Sequence, residues 1–426
     1  MYLTKYRLPP PLYPDFILTM NKATFRTLLA LLLVPPAALY AVLYAAVTSM
    51  AAIGVDADYP GGNIILERID GDVIDLRQNL RDTDGWWFYW NFRIRGAAGR
   101  TLTFRFTNRD VIGTRGPAVS LDSGQTWSWL GRNTVKGASF SYSFAPDAGS
   151  VRFAFAPAYQ EADLMSFLAK YKRNKHVSVR ELCKTRKGRS VEQIHIGKLD
   201  GQPAYRVLLT CRHHACESTA SYVLDGILAA LLADTADGSW FRENVEVLAV
   251  LFVDKDGVEE GDQGKNRKPR DHCRDYQGQS LYPSVAALCT LIPEWSAGRL
   301  RMAIDLHCPS IREKAVYMVV SQHEAIWNEQ RGFARLLEAA CLHSLPYKAS
   351  DNTPFGKGGN KADNYKAGKS FFQWADELKG IRLSSAIEIP YANAGETTVT
   401  SETARAFGAD IVWAMCQYLV SERGLK

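Results

Sequence analysis

The chain has 426 residues, of which 46% are hydrophobic and 23% charged, with a formal net charge of +6. That composition excludes global disorder and leaves room for two domains, or for one large domain with an appendage. The excess charge does not mark a nucleic-acid partner: the first 26 residues hold Lys5, Arg7, Lys22 and Arg26 against Asp15 alone, and no basic run is interleaved with aromatics.

Residues 27–55 carry no charged side chain, and the stretch 28–47 is long enough to span a bilayer. Basic residues before it would leave the bulk of the chain on the far side. A signal peptide starting at Met20, with a small-residue end near Ala51, fits the same letters. So does an over-extended reading frame, with translation starting at Met50. The eight cysteines bear on this choice: none precedes Cys183, no CxxC pair occurs, and four sit in or beside the chemistry-bearing segments. Free buried thiols in a reducing compartment are the expectation. The chain is expected to be cytoplasmic if translation starts near Met50. It is membrane-anchored or exported, with a membrane as partner, only if residues 27–49 are made and retained.

From 63 to 157 the pattern is strand-like, with β-prone runs at 64–80, 86–95, 101–107, 118–121, 126–130, 139–144 and 151–156 separated by turn signals such as Asp70-Gly71 and Pro146-Asp147. Regular short strands of this kind predict an antiparallel β-sandwich over 56–157. Within it, alternation places Trp86, Phe88 and Trp90 on one face and Trp87 and Tyr89 on the other. This reads as a strand buried on one face and packed on a neighbour by the other, rather than as a sugar platform.

After Glu161 the character changes. Helices are predicted at 162–171, 218–232, 324–340 and 402–419, and buried strands at 207–210, 245–253, 300–306 and 386–389. The alternation predicts a mixed, mostly parallel α/β/α domain over 158–426, whose ligands sit at the carboxyl ends of the strands. His214, Asp254, His307 and Glu388 all fall at or near such ends.

Those residues carry the chemistry. His214 and Glu217, three apart at a strand-to-helix turn, can face one point, with His213 as a neighbour of second rank. His307 closes an apolar strand, and Asp305 two residues earlier can orient its ring. Glu388 is a carboxylate inside an apolar strand, where ionisable groups rarely lie without a partner or a role. Two imidazoles and a carboxylate, with a second carboxylate to spare, form the ligand set of a catalytic zinc site. Between them, 254–276 is a long polar, Gly-rich loop whose arginines can hold a carboxylate.

In order and spacing these segments resemble the zinc carboxypeptidase family, the one that includes carboxypeptidase A, and within it the cytosolic carboxypeptidase branch with its N-terminal β-sandwich. The likeness rests on His214-Ala215-Cys216-Glu217, Asp256-Gly257-Val258, Arg274, Asp305-Leu306-His307 and Glu388, and covers roughly residues 56–426. It implies a metallocarboxypeptidase acting on a peptide or protein C-terminal tail, with one Zn2+ per chain on His214, Glu217 and His307. Glu388 would serve as general base and Arg267 would polarise the scissile carbonyl. Lys265, Lys268 and Arg270 compete with Arg267 for that role. Arg274 would grip the terminal carboxylate, and Tyr365 would close on the substrate. One departure is Cys273, where the family has Asn; a thiol is a poor hydrogen-bonding substitute for a carboxamide. Lys348, Lys357, Lys361, Lys366 and Lys369 would suit an acidic tail or a merely solvated loop. Two other readings stand beside this one: a zinc-dependent N-acyl amino acid deacylase, and a membrane-attached binding protein without catalysis.

Overall fold

The first strands of the chain pair in two layers. The computed structural model describes residues 52–341 and 344–421, so the apolar 27–49 segment and its alternative readings lie outside the described residues. In chain order the first ten strands are β1 (Gly54–Asp56), β2 (Ile65–Asp70), β3 (Val73–Arg77), β4 (Asn91–Arg95), β5 (Thr101–Phe106), β6 (Ala118–Ser120), β7 (Ser128–Trp129), β8 (Val135–Lys136), β9 (Ser139–Ser143) and β10 (Ser150–Ala154). They form two five-stranded sheets, β1-β4-β10-β6-β7 and β2-β3-β5-β9-β8. All pairs are antiparallel except β3 with β5. Alternating inward residues interleave between the layers: Phe92 and Phe153 from one sheet meet Phe104 and Phe140 from the other, with ring centroids 5.2–5.4 Å apart across the gap. Each such buried ring stabilises the fold by about 1.5–3 kcal/mol.

The 86–95 run pairs as a strand only over its second half, β4. The aromatic residues before it still alternate in use. Phe88 and Trp90 are buried among other rings, Phe88 meeting Phe155 and Tyr391, whereas Trp87 donates from its ring to Cys216 and the Tyr89 hydroxyl to the carbonyl of Gly61.

That half begins with α1 (Glu161–Lys170) and continues with β11 (Val177–Lys184), β12 (Ser190–Gly197), β13 (Tyr205–Cys211), α2 (Ser218–Leu232), α3 (Ala236–Asn244), β14 (Val245–Val250) and α4 (Lys255–Glu260). It ends with α5 (Pro283–Ser296), β15 (Leu300–His307), β16 (Tyr317–Val319), α6 (Glu324–Ala340), α7 (Phe371–Ala375), β17 (Leu383–Glu388) and α8 (Ser401–Ser421). Seven strands make one sheet in the order β11-β12-β14-β13-β15-β17-β16. The four central strands run parallel, and the edges are antiparallel. Both faces are covered, because Val207 and Leu209 join one apolar cluster and Leu208 between them joins another. Such strands read as unbroken apolar runs, which is why the sequence shows them clearly. The β11–β12 hairpin and α5 carry no equally simple signal.

Helix α8 packs along α2. At their crossing, a Cβ on Gly408 would lie 2.3 Å from the carbonyl oxygen of Val223, so only glycine allows the approach. Helix α2 is apolar because it is buried on nearly every side. Among the described residues no single helix is long and apolar enough to cross a membrane. All eight cysteines are free, five of them buried.

Candidate metal and active site

Strand register delivers the key side chains to one edge of the sheet. The pairs Cys211–Leu306 and His307–Glu388 are neighbours across β13, β15 and β17, so three strand ends stop at one level. Past β13 the chain turns at Arg212, whose φ of 57° is unusual for a residue with a Cβ. The buried Arg212 guanidinium holds that turn by donating to the carbonyls of Ala215 and Tyr159 and to Ser221 Oγ. The turn aims His213 and His214 in different directions.

His214 Nδ1 lies 2.8 Å from Glu217 Oε1, and His307 Nδ1 lies 2.8 Å from Glu217 Oε2. These donor atoms fall within 4.8 Å of one another and can hold a metal ion. The rear nitrogens are also supported: His307 Nε2 is 2.5 Å from Asp305 Oδ2, and His214 Nε2 is 3.6 Å from Asp271. Carboxylates behind ligand imidazoles fix the ring orientation and raise basicity. His213 belongs to a second possible cluster with Asp305 and His307. Its two nitrogens, however, are already taken by Asp305 Oδ1 at 2.9 Å and the Tyr276 hydroxyl at 2.8 Å. His214 and His307 line a cavity of about 850 Å³, and His213 does not.

Charge accumulates here. Burial alone would push His214 down, but Glu217 and Asp271 hold its pKa up at about 10. Burial is likewise outweighed at His307, where Asp305 and Glu217 hold the ring well above 6.5. The Asp305 carboxyl, despite its burial, is held low by His213 and His307. A donor set of two nitrogens and a carboxylate fits a divalent metal such as zinc.

Glu388 faces the same cavity from the end of β17. Burial pushes its carboxyl above the ordinary range; His307 and Lys265 pull against that, and Glu217 adds to it. Its Oε2 is buried and meets no hydrogen-bond partner among the described residues, as expected of an atom kept for a water or a substrate.

The arginines divide differently from their order in sequence. Arg267 is clasped by Asp82, Asp254 and Asp262. The cation facing the metal cluster is Lys265, with Nζ 3.5 Å from Glu217 Oε1 and 3.3 Å from His214 Nδ1. Arg274 pairs with no carboxylate among the described residues. It donates to Cys273 Sγ at 3.0 Å and to the carbonyl of Asn364, and it lies 5.0 Å from the ring centre of Tyr365. The Tyr365 hydroxyl donates to Asn360 at 2.7 Å. At Cys273 burial would raise the thiol, but Arg274 and the two imidazoles hold it well below the usual range. None of Lys348, Lys357, Lys361, Lys366 and Lys369 lines the cavity.

The β-sandwich segment builds part of this site, which sequence reasoning missed. Asp82 accepts from the backbone N–H groups of Gln263 and Gly264 at 3.0 and 2.8 Å as well as from Arg267, tying down the loop that carries Lys265. Trp87 Nε1 donates to Cys216 at 3.3 Å, and its ring lies beside Lys265. No local signal marks Asp82, which sits 182 residues from Gly264 in an ordinary polar turn.

No family model matches the chain. Cytosolic carboxypeptidase 3 of Mus musculus is 24% identical over 227 residues, which is 50% of this chain and 22% of that protein. The Bos taurus protein of the same name matches equally, at 24% over 226 residues. The matched part thus spans under a quarter of these relatives' length. Among solved structures, a metallo-carboxypeptidase from Burkholderia cenocepacia superposes with a TM-score of 0.74 at 21% identity, covering 87% of this chain and 99% of that one. A metallo-carboxypeptidase from Pseudomonas aeruginosa, solved in complex with (2-guanidinoethylmercapto)succinic acid, gives 0.69 at 18% identity with the same coverage.

Proposed function

Taking as premise that the chain has the metallocarboxypeptidase fold, with distant homology to cytosolic carboxypeptidase 3 over half its length, we propose that it is a zinc-dependent carboxypeptidase. It releases the C-terminal residue of a peptide or protein tail. The observation that carries this reading is the convergence of His214, Glu217 and His307 on one point, at the wall of a cavity that His214, His307, Glu388 and Arg274 line.

His214, Glu217 and His307 would hold the zinc ion, which would supply a Lewis acid and lower the pKa of the attacking water. Glu388, with one oxygen unsatisfied and its pKa raised, takes the proton from that water and returns it to the leaving amine. Lys265 neutralises the charge that develops on the scissile carbonyl oxygen. We give this role to Lys265 because three carboxylates occupy Arg267, whose task becomes positioning the loop. Arg274 grips the terminal carboxylate through paired N–H donors, which confines cleavage to the chain end. Tyr365 backs Arg274 with its ring.

The test is zinc content of purified wild type, His214→Ala and His307→Ala, with peptide turnover by wild type and Glu388→Gln. One zinc per wild-type chain, lost in both histidine variants, is expected. Glu388→Gln keeps the metal and loses about 10²–10⁴ in kcat. Stoichiometric zinc in both histidine variants contradicts the site, and hydrolysis of N-acetylated amino acids but no peptide favours a deacylase.

A further inference from the structure

We propose that the residue released is neutral and apolar, selected by a rung of small apolar side chains beneath the catalytic carboxylate. The proposal rests on the carboxypeptidase reading and adds its substrate class. Strands β16 and β17 pair antiparallel, with Tyr317 opposite Glu388 and Val319 opposite Ala386. Directly opposed residues share a face, and so do residues two apart along a strand. Tyr317–Glu388 and Val319–Ala386 are therefore successive rungs on the cavity side, while Met318 and Ile387 between them are buried in the core on the other.

Four observations complete the wall. The Arg274 guanidinium lies over the Tyr365 ring, and Tyr365 meets Phe372 edge to face at 6.2 Å. Phe372 and Ala386 are buried and line the cavity, and Val319 bridges to Thr353, which lines it as well. A substrate whose terminal carboxylate is held by Arg274 thus presents its last side chain to Tyr365, Phe372, Ala386, Val319 and Thr353. These elements contribute no cation to the cavity, and the lysines of the 357–369 loop stay outside it. Arg267, Lys268 and Arg270 line the cavity too, but each already pairs with a carboxylate. Asp351 lines it as well, exposed to solvent. A glutamate side chain placed on this wall would lose its water without gaining a partner.

The test compares kcat/KM of the zinc-loaded enzyme on N-benzoyl-Gly-X peptides with X as Leu, Phe, Ala, Glu or Lys. It is repeated with Val319→Lys and Thr353→Lys as two independent charge insertions. Leu or Phe is expected to exceed Glu and Lys by at least about tenfold. Either insertion should move the Leu-to-Glu ratio toward Glu by a similar factor. Glu or Lys as the best residue, or a ratio unmoved in both variants that still cleave, overturns the wall while leaving the carboxypeptidase reading intact. Cleavage of none of the five peptides by wild type overturns both.

Discussion

At the level of single residues, the three groups of the candidate metal cluster were legible because each stands where a strand or a strand-to-helix turn fixes its direction. Asp305 was readable too, two positions before His307 on the same strand face. The cation was not. Four basic side chains, Lys265, Arg267, Lys268 and Arg270, crowd six positions, and which of them faces inward depends on three distant carboxylates that occupy Arg267. Lys265→Ala is expected to lower kcat by about 10²–10³ with little change in zinc content, and Lys265→Arg to restore part of it. Equal losses for Lys265→Ala and Lys265→Arg would count against the role. The titration of the ligands makes a separate prediction. His214 is held at about 10, so it carries a proton at pH 7.5 until metal displaces it, and His307 is shifted in the same direction by Asp305 and Glu217. Zinc uptake by the metal-free protein should therefore release protons, read from calorimetric heats in buffers of different ionisation enthalpy. Without metal, the raised pKa of His214 contributes stability that is complete below about pH 6.5 and is lost as pH rises through about 10. Asp305, whose pKa is lowered, works the other way: its contribution is present above about pH 4 and is lost on acidification.

Among the elements, the parallel strands and the long helices were visible as apolar runs and periodic stripes. The β11–β12 hairpin was not, because β11 is exposed along much of its length and carries Arg180, Glu181 and Lys184 among its apolar residues. The 86–95 run was overextended for a different reason: its first half is extended and aromatic but makes tertiary rather than ladder contacts. The loop carrying Lys265 depends on two such contacts. Asp82→Ala removes the acceptor of two backbone N–H groups and one guanidinium, and is expected to cost about 2–4 kcal/mol in urea denaturation. Its effect on peptide turnover should exceed its effect on zinc binding. Gly264 combines a φ of +75° with a backbone approach in which a Cβ would lie 2.1 Å from the Ala215 nitrogen. Gly264→Ala should therefore cost more than about 2 kcal/mol and impair the metal cluster directly. A stability change under about 0.5 kcal/mol for either variant would show that the loop is held by something else.

For the whole molecule, the sandwich and the α/β sheet share one continuous apolar cluster that runs from Phe88 and Phe155 to Tyr391, Cys216 and Phe252. The sandwich also supplies Asp82 and Trp87 to the site. One cooperative thermal transition is expected in calorimetry, and two resolved transitions would show that the halves fold separately. The central claim concerns what the molecule does at a chain end, and it rests on Arg274 lining the same cavity as His214 and His307 with no ion-paired carboxylate among the described residues. The direct measurement is mass spectrometry of one Leu-terminated peptide offered with a free C-terminus and with an amidated one. The account predicts loss of a single C-terminal residue from the free peptide and an amidated peptide left intact. Equal cleavage of the two, or cleavage at an internal bond, would contradict it.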